Sequence, residues 1–291
     1  MSQTLLKRMG LDYHCEMRPV YISNNLSDYP TDFNGTFDTS NHRTYGCFKK
    51  NYRCVNPSDV INALYEVLPD YPLVEDSFIE NMTKHKGHKL NEGAKYIIGI
   101  HLESRKIDYN NRAALGQDHI DNYLIIANAH DGGALKLGFK SKTYSCKNMF
   151  NALPCSYKHG KGVVHALQNG LKTALNSLET YKQEVIAMNE FNLSMKQVDE
   201  LVDNINNNLF KSLKEEDVKT RTLNQVDALG NRITSEMYQK GRTAWGVMSG
   251  VTNFTTHETG RNVEASMYFG RRAEINKIAH NTVMEYINSY N

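Results

Sequence analysis

The residues of this chain best placed to do chemistry are lysines, and their spacing says more than their number. Between Asp131 and Glu179 there is no acidic residue, while Lys136, Lys140, Lys142, Lys147, Lys158, Lys161 and Lys172 fall in that stretch. The chain as a whole has 34 Lys+Arg against 32 Asp+Glu, a net charge of +2, so taking these seven cations away leaves −5 for the remainder. Amines gathered without counter-charges create a field that attracts polyanions. Tyr144, Phe150 and Tyr157 lie among them and offer flat rings on which bases stack, a contact worth ~1–3 kcal/mol per base. A second basic run, Lys84, His85, Lys86, His88 and Lys89, lies upstream, and Arg271 with Arg272 extends the cationic set near the C-terminus.

Other chemistries find less support. Five cysteines, Cys15, Cys47, Cys54, Cys146 and Cys155, are an odd number without a C-x-x-C pair, which argues against a disulfide framework and against ordinary zinc knuckles. Cys146, Cys155, His159 and His165 supply four soft ligands, but at irregular spacing, so the expectation is no metal and no cofactor. Phosphate-cradling G-x-x-x-x-G-K-[ST], H-E-x-x-H, G-x-S-x-G and G-x-G-x-x-G are all absent, and no catalytic set stands out. A metal-dependent nuclease would have to assemble Glu103, Asp108, Asp131 and His130, whose spacing matches no known pattern. His130-Asp131 reads better as the start of a turn.

Three strands and several helices must position the lysines. In AKYIIGIHLES, Tyr96, Ile98, Ile100 and Leu102 alternate with Lys95, Gly99, His101 and Glu103, a half-buried strand. DNYLIIANA is apolar on both faces, a more central strand. Asp131-Gly132 then predicts a type I′ hairpin, with positive φ at both central residues, leading into ALKLGFKSKTYSC. In that third strand Leu135, Leu137 and Phe139 share the core face and Lys136, Lys140 and Lys142 the opposite one, exposed as a lysine row with neighbours about 6.6–6.8 Å apart. Such a row tracks phosphates, although solvation or protection of an edge strand also produces one.

Before the sheet, residues 1–55 have little periodicity and read as an extended or loop-rich, tyrosine-bearing arm. NPSDVINALYEVLPD predicts a helix capped by Asn56, and EDSFIENMTKHK a second short one. After the sheet the pattern becomes helical: KNMFNAL short, GVVHALQNGLKTALNSLETYKQEVIAMNEF long, then MKQVDELVDNINNNLF capped by Ser194, and EINKIAHNTVMEYINSY at the end. The fold class is α+β, a short antiparallel sheet with a β-β-β-α core followed by a mainly helical C-terminal half, and residues 56–290 form a single domain. Composition agrees with a globular chain, at 40% hydrophobic and 23% charged. No apolar run approaches the ~18–20 residues of a membrane span, and MSQTLLKRMGLDYHCEMR is too charged for a signal peptide, so the expected location is the cytoplasm, with no membrane partner.

The runs NYLIIANAHDGGALKLGFKSKTYSCKNMFNAL, Tyr157-Lys158-His159, TAWGVMSGVTNFTTHE and FGRRAEINKIAHNTVMEYI resemble the phage/plasmid-like proteins, a family of unassigned function carried by phages, prophages and plasmids. That family's middle block reads H-D-G-S, then a basic strand ending R-V-x-C-x-N-T-L, then a later H-T. Here Gly133 replaces Ser, Thr143-Tyr144 replaces Arg-Val, and Asn148-Met149-Phe150 stands for Asn-Thr-Leu, while Cys146 and Asn148 keep the spacing. The resemblance spans roughly residues 55–290. Strands followed directly by a helix are similar in order to the core of the single-strand annealing superfamily of RecT, Red-beta and Erf, an analogy of fold without a residue motif.

Charge and analogy together predict sequence-independent binding of single-stranded DNA and strand annealing in phage or plasmid recombination or replication. The agent would be a homo-oligomeric ring or filament, with phage or host recombination proteins as further partners. Backbone contacts would come from Lys136, Lys140, Lys142, Lys147, Lys158, Lys161, Arg271 and Arg272, with Tyr144 or Phe150 stacking on bases. Phe150 as a core residue and the arginines as a solvated helix face remain alternatives. The competing class is a protein-interaction module that counters a host defence system, its basic face docking an acidic partner.

Overall fold

The apolar alternation around residues 95–143 folds into strands where the period places them, and the C-terminal periodicity folds into helices. The computed structural model describes residues 6–23, 27–67, 88–90, 93–102, 105–111, 116–210, 220–257, 266–268 and 270–290. The strands are β1 (Cys15–Ser23), β2 (Asp28–Asp38), β3 (Arg43–Lys49), β4 (His88–Leu90), β5 (Lys95–His101), β6 (Ile107–Asn111), β7 (Gly116–Ala129), β8 (Leu135–Thr143) and β9 (Met149–Tyr157). The helices are α1 (Pro57–Val67), α2 (Val163–Glu190), α3 (Met195–Leu209), α4 (Thr220–Lys240), α5 (Ala244–His257) and α6 (Arg271–Asn288). The structure is mixed α/β with antiparallel sheets, and its helices lie mainly in the C-terminal half.

One sheet has the order β1-β2-β3, with both pairs antiparallel. The other has the order β4-β5-β7-β8-β9, and β6 pairs with the first half of β7 while β5 pairs with its second half. Two compact units interleave along the chain. The first comprises Met1–His101, Tyr123–Phe139 and Leu153–Ser177, and the second Leu102–Asn122, Lys140–Ala152 and Leu178–Asn291.

In the first unit the N-terminal segment is extended rather than loop-rich, and its tyrosines do structural work. Tyr13, Tyr45 and Tyr96 surround His130, with ring centroids 5.9, 6.2 and 5.6 Å from the imidazole. Tyr52 stacks between Phe48 at 4.1 Å and His159 at 4.9 Å. Asn56 does not cap α1 with its side chain. Its amide instead brackets the backbone of Cys15, accepting at 2.7 Å and donating at 3.1 Å, and Asp59 accepts from the Asn56 N–H at 2.8 Å. The turn after β7 spans five residues rather than the two-residue type I′ form, because Gly132 (φ +96°) takes a positive φ and Asp131 does not.

In the second unit α3 packs on α6, α4 on α5 and α5 on α6. Helix α5 is buried on nearly every side, which its low charge allows. Its two glycines, Gly246 and Gly250, let α4 approach: a Cβ on Gly250 would lie 2.3 Å from Ile233 Cα. Ser194 caps α3 through a capping box with Gln197. Ile275, Ala279, Val283, Tyr286 and Ile287 form the buried face of α6, as their spacing requires.

KNMFNAL is not a helix: Lys147 and Asn148 close the turn after β8, and Met149 opens β9. Its local helical spacing yields to pairing with β8, which satisfies the backbone of a segment buried on both sides. The helix expected over EDSFIENMTKHK lies outside the described residues, as do Lys84, His85 and Lys86.

Candidate nucleic-acid interface

The lysine row is where the structure most changes the reading. Leu135, Leu137 and Phe139 are buried, as the alternation requires, but the opposite face of β8 is covered too. Lys140 is only 5% exposed, so it cannot serve as a surface phosphate contact. Lys136 in the first unit and Lys142 in the second are half-buried. Burial lowers the affinity of both amines for their proton, and Lys95 beside Lys136 and Lys147 beside Lys142 add to this. The row fails as an exposed strip because β8 is covered on both faces, so period-2 alternation no longer separates core from water along it; β8 also lies between β7 and β9 inside the sheet. With a neighbour on each side, β8 is not an edge strand protected by charge.

What the second unit does present is the turn that follows β8. Tyr144 is 57% exposed, its ring stacks on His119 at 4.5 Å, and Lys147 Nζ stands 4.3 Å from its centroid. Lys147 is close enough to Lys142 to disfavour its charge, and Asp121 is the carboxylate that favours it. Asp121 also faces His119 Nε2 at 3.7 Å and Lys106 Nζ at 4.0 Å. Lys147 adopts φ +59°, a left-handed conformation that costs a non-glycine residue roughly 1–3 kcal/mol. The strain is held by Thr143 and Asn148 pairing across the turn and by Lys147 N donating to Thr143 O at 3.0 Å.

Beneath the turn lies a buried polar network, all within the second unit. Asp118 accepts from Ser145 Oγ at 2.5 Å, Tyr109 Oη at 2.8 Å and His119 N at 2.9 Å. Burial alone would raise its pKa, but these hydrogen bonds and the charge of Lys240 hold the carboxyl below its ordinary range. Lys240 Nζ, 1% exposed, reaches Cys146 Sγ at 3.2 Å, Tyr109 Oη at 3.4 Å and Glu236 Oε2 at 3.6 Å. Asn253 donates to Glu236 Oε1 at 2.7 Å. Asn148 donates to the Ser249 carbonyl at 3.2 Å and faces His257 Nε2 at 3.2 Å. Cys146 and Asn148, the two motif positions noted in the sequence, therefore anchor the turn to helices α4 and α5.

The other expected contacts are scattered. Lys158 and Lys161 are exposed in the first unit, on the turn between β9 and α2. Phe150 is buried at 4% exposure and stacks on Tyr181 at 4.6 Å, so it is core and not a platform for bases. Tyr157 leans on Gly170 of α2. Arg271 is exposed at the start of α6, and Arg272 donates its guanidinium to the Thr255 carbonyl. Cys155 points to the Gly170 carbonyl, His159 Nδ1 meets the Arg53 carbonyl at 2.9 Å, and His165 lies by Asn169. Among the described residues no group of three or more His, Cys, Asp or Glu is gathered for a metal ion. Asp131 pairs with Lys95 at 3.4 Å and His130 is enclosed by tyrosines, while Glu103 lies outside the described residues.

His119, Asp118, Tyr109 and Lys240 escaped the sequence reading. A signal existed only for Asp118 and His119, which with Gln117, Asp121 and Asn122 crowd polar residues into the first half of a strand whose second half is mostly apolar.

Fold and site together define a mixed α/β protein whose helical C-terminal half supports a cationic, aromatic turn at one end of its strands. The chain belongs to the family described as Domain of unknown function (DUF932), which matches residues 45–280. No curated protein and no solved structure matches it. No helix among the described residues is long and apolar enough to cross a membrane.

Proposed function

We propose that this protein binds single-stranded nucleic acid, DNA in the first instance, without regard to sequence, and that several copies along a strand bring complementary strands together. The observation that carries the reading is the Lys142–Tyr144–Lys147–His119 cluster. It presents an exposed ring flanked by cations, on a strained turn braced by a buried network. A base stacking on Tyr144 would displace Lys147 Nζ, a contact worth ~0.5–1 kcal/mol at an exposed site, and free the ammonium for the neighbouring phosphate. Few contacts per protomer make a weak binder, so useful affinity depends on multiple copies. Action in phage or plasmid recombination or replication and kinship with annealing proteins belong to the same proposal; the kinship leans on antiparallel strands that precede a helix, although the strands read from the sequence, β5, β7 and β8, are followed by the further strand β9 before α2.

The test is fluorescence anisotropy with a labelled oligonucleotide over a range of salt. Lys142→Glu with Lys147→Glu should weaken binding well beyond Lys182→Glu with Lys196→Glu, which changes net charge equally. The first pair should also flatten the salt slope by about 1–1.4 per protomer, at ~0.7 per phosphate on a single strand. Equal loss from both pairs would reduce the effect to diffuse attraction.

One observation favours the protein-interaction reading. The β1–β2 hairpin leaves Tyr21, Ile22, Tyr29 and Phe33 exposed at 56%, 65%, 54% and 44%, an apolar set of the kind that marks partner surfaces. Absence of any oligonucleotide binding at low salt would make this hairpin the better starting point.

A further inference from the structure

Arg221, Arg271 and Arg272 line one cavity of about 380 Å³ in the second unit, and none of its described lining residues is a carboxylate. Guanidiniums brought to one concavity repel each other unless an anion lies between them. They are also the side chains whose planar fork matches a phosphate. Arg272 is set in place, donating to the Thr255 carbonyl, whereas Arg221 and Arg271 are exposed at the first turn of α4 and the first residue of α6. Gly270 caps α6 without a side-chain acceptor of its own; Ser266 Oγ accepts from Arg272 N at 3.5 Å, and Glu274 is the one acidic residue in the helix's first turn.

The floor of the cavity differs from its rim. Phe254 and Ile275 are 7% and 9% exposed, and Gln225 adds an amide beside them. An apolar floor with a cationic rim suits a molecule that joins a flat ring system to a phosphate. The volume lies within the ~300–1,000 Å³ of small-molecule sites.

We propose that this cavity binds a nucleoside monophosphate, its phosphate forked by Arg221 and Arg271 and its base against Phe254. The group could arrive as a free nucleotide or as the phosphorylated end of a strand, since the shared chemistry is a phosphate monoester on a nucleoside. This proposal stands apart from strand binding at the Lys142–Tyr144–Lys147 cluster, with which it shares no residue.

Isothermal titration of the full chain with AMP, adenosine, a 5′-phosphorylated oligonucleotide and its 5′-hydroxyl counterpart separates the possibilities. AMP should bind at least tenfold more tightly than adenosine. Arg221→Ala and Arg271→Ala should each weaken it about tenfold or more, and Arg271→Lys, which keeps the charge but loses the fork, should fall between. If only the strand end is recognised, the 5′-phosphorylated oligonucleotide should outbind its hydroxyl counterpart, and Arg271→Ala should abolish the difference. Both arginines are exposed, so thermal melting of the variants should match the parent chain. The proposal is overturned if neither phosphorylated probe binds at a few millimolar with this preference, or if binding ignores both arginines. The 5′-hydroxyl strand reports on the sheet-end cluster and AMP on the cavity, so the two readings fail separately.

Discussion

Acidifying the protein from pH 7.5 to 5.0 should weaken its first unit by about 2 kcal/mol through His130 alone. The ring is 0% exposed, and neither ring nitrogen has a hydrogen-bond partner among the described residues. Burial is the main reason its pKa falls from 6.5 to about 4; His159 and His14 push it the same way, while Asp38 and Asp131 oppose them. Between these two values the unfolded chain carries the proton and the folded chain does not, so stability falls as pH falls. The full loss, 2.5 units at about 1.36 kcal/mol each, amounts to roughly 3 kcal/mol and is complete only below pH 4. At pH 5.0 about 2 kcal/mol of it is already gone. His159, lowered by burial, adds in the same direction. Urea unfolding of the parent and of His130→Phe at both pH values measures this, and the variant should lose about 2 kcal/mol less on acidification, whatever its stability at pH 7.5. An equal loss in both proteins, or a His130 ring that titrates near 6.5 by NMR, would refute the reasoning.

Removing Lys240 with Lys240→Met leaves Glu236 and Asp118 buried without their cation and should cost ~3–5 kcal/mol in chemical unfolding, with much of it recovered in the double variant carrying Glu236→Gln. Gly250→Ala drives a methyl group into the backbone of Ile233 and should lower the melting temperature as an overpacked helix contact does, by the equivalent of ~1–3 kcal/mol or more. Phe150→Ala should cost ~3–5 kcal/mol in unfolding yet leave oligonucleotide affinity of the folded protein unchanged; a selective loss of affinity would restore Phe150 as a stacking residue.

Elements whose signal is local could be read directly from the sequence. The apolar spacing of α2, α3 and α6, the Ser194 cap and the strands β5, β7 and β8 all follow from side chains within a few positions of each other. The acid-free window was equally legible, since charge can be counted without a fold. Which of its lysines meet water was not. Lys140 and Lys142 are two residues apart on one face of one strand, yet one is buried and the other half-buried. Likewise Asn56 is a good cap by type, but the backbone of Cys15, 41 positions away, competes for its amide and wins. The partners of Tyr144 and Cys146 come from residues 119 and 240, and no spacing in the sequence announces them. Periodicity reports the face a side chain takes on its own element, whereas exposure and hydrogen-bond partners depend on what distant segments lay against that face. That is decided by tertiary packing, because burying apolar area and satisfying buried polar groups are properties of the folded whole.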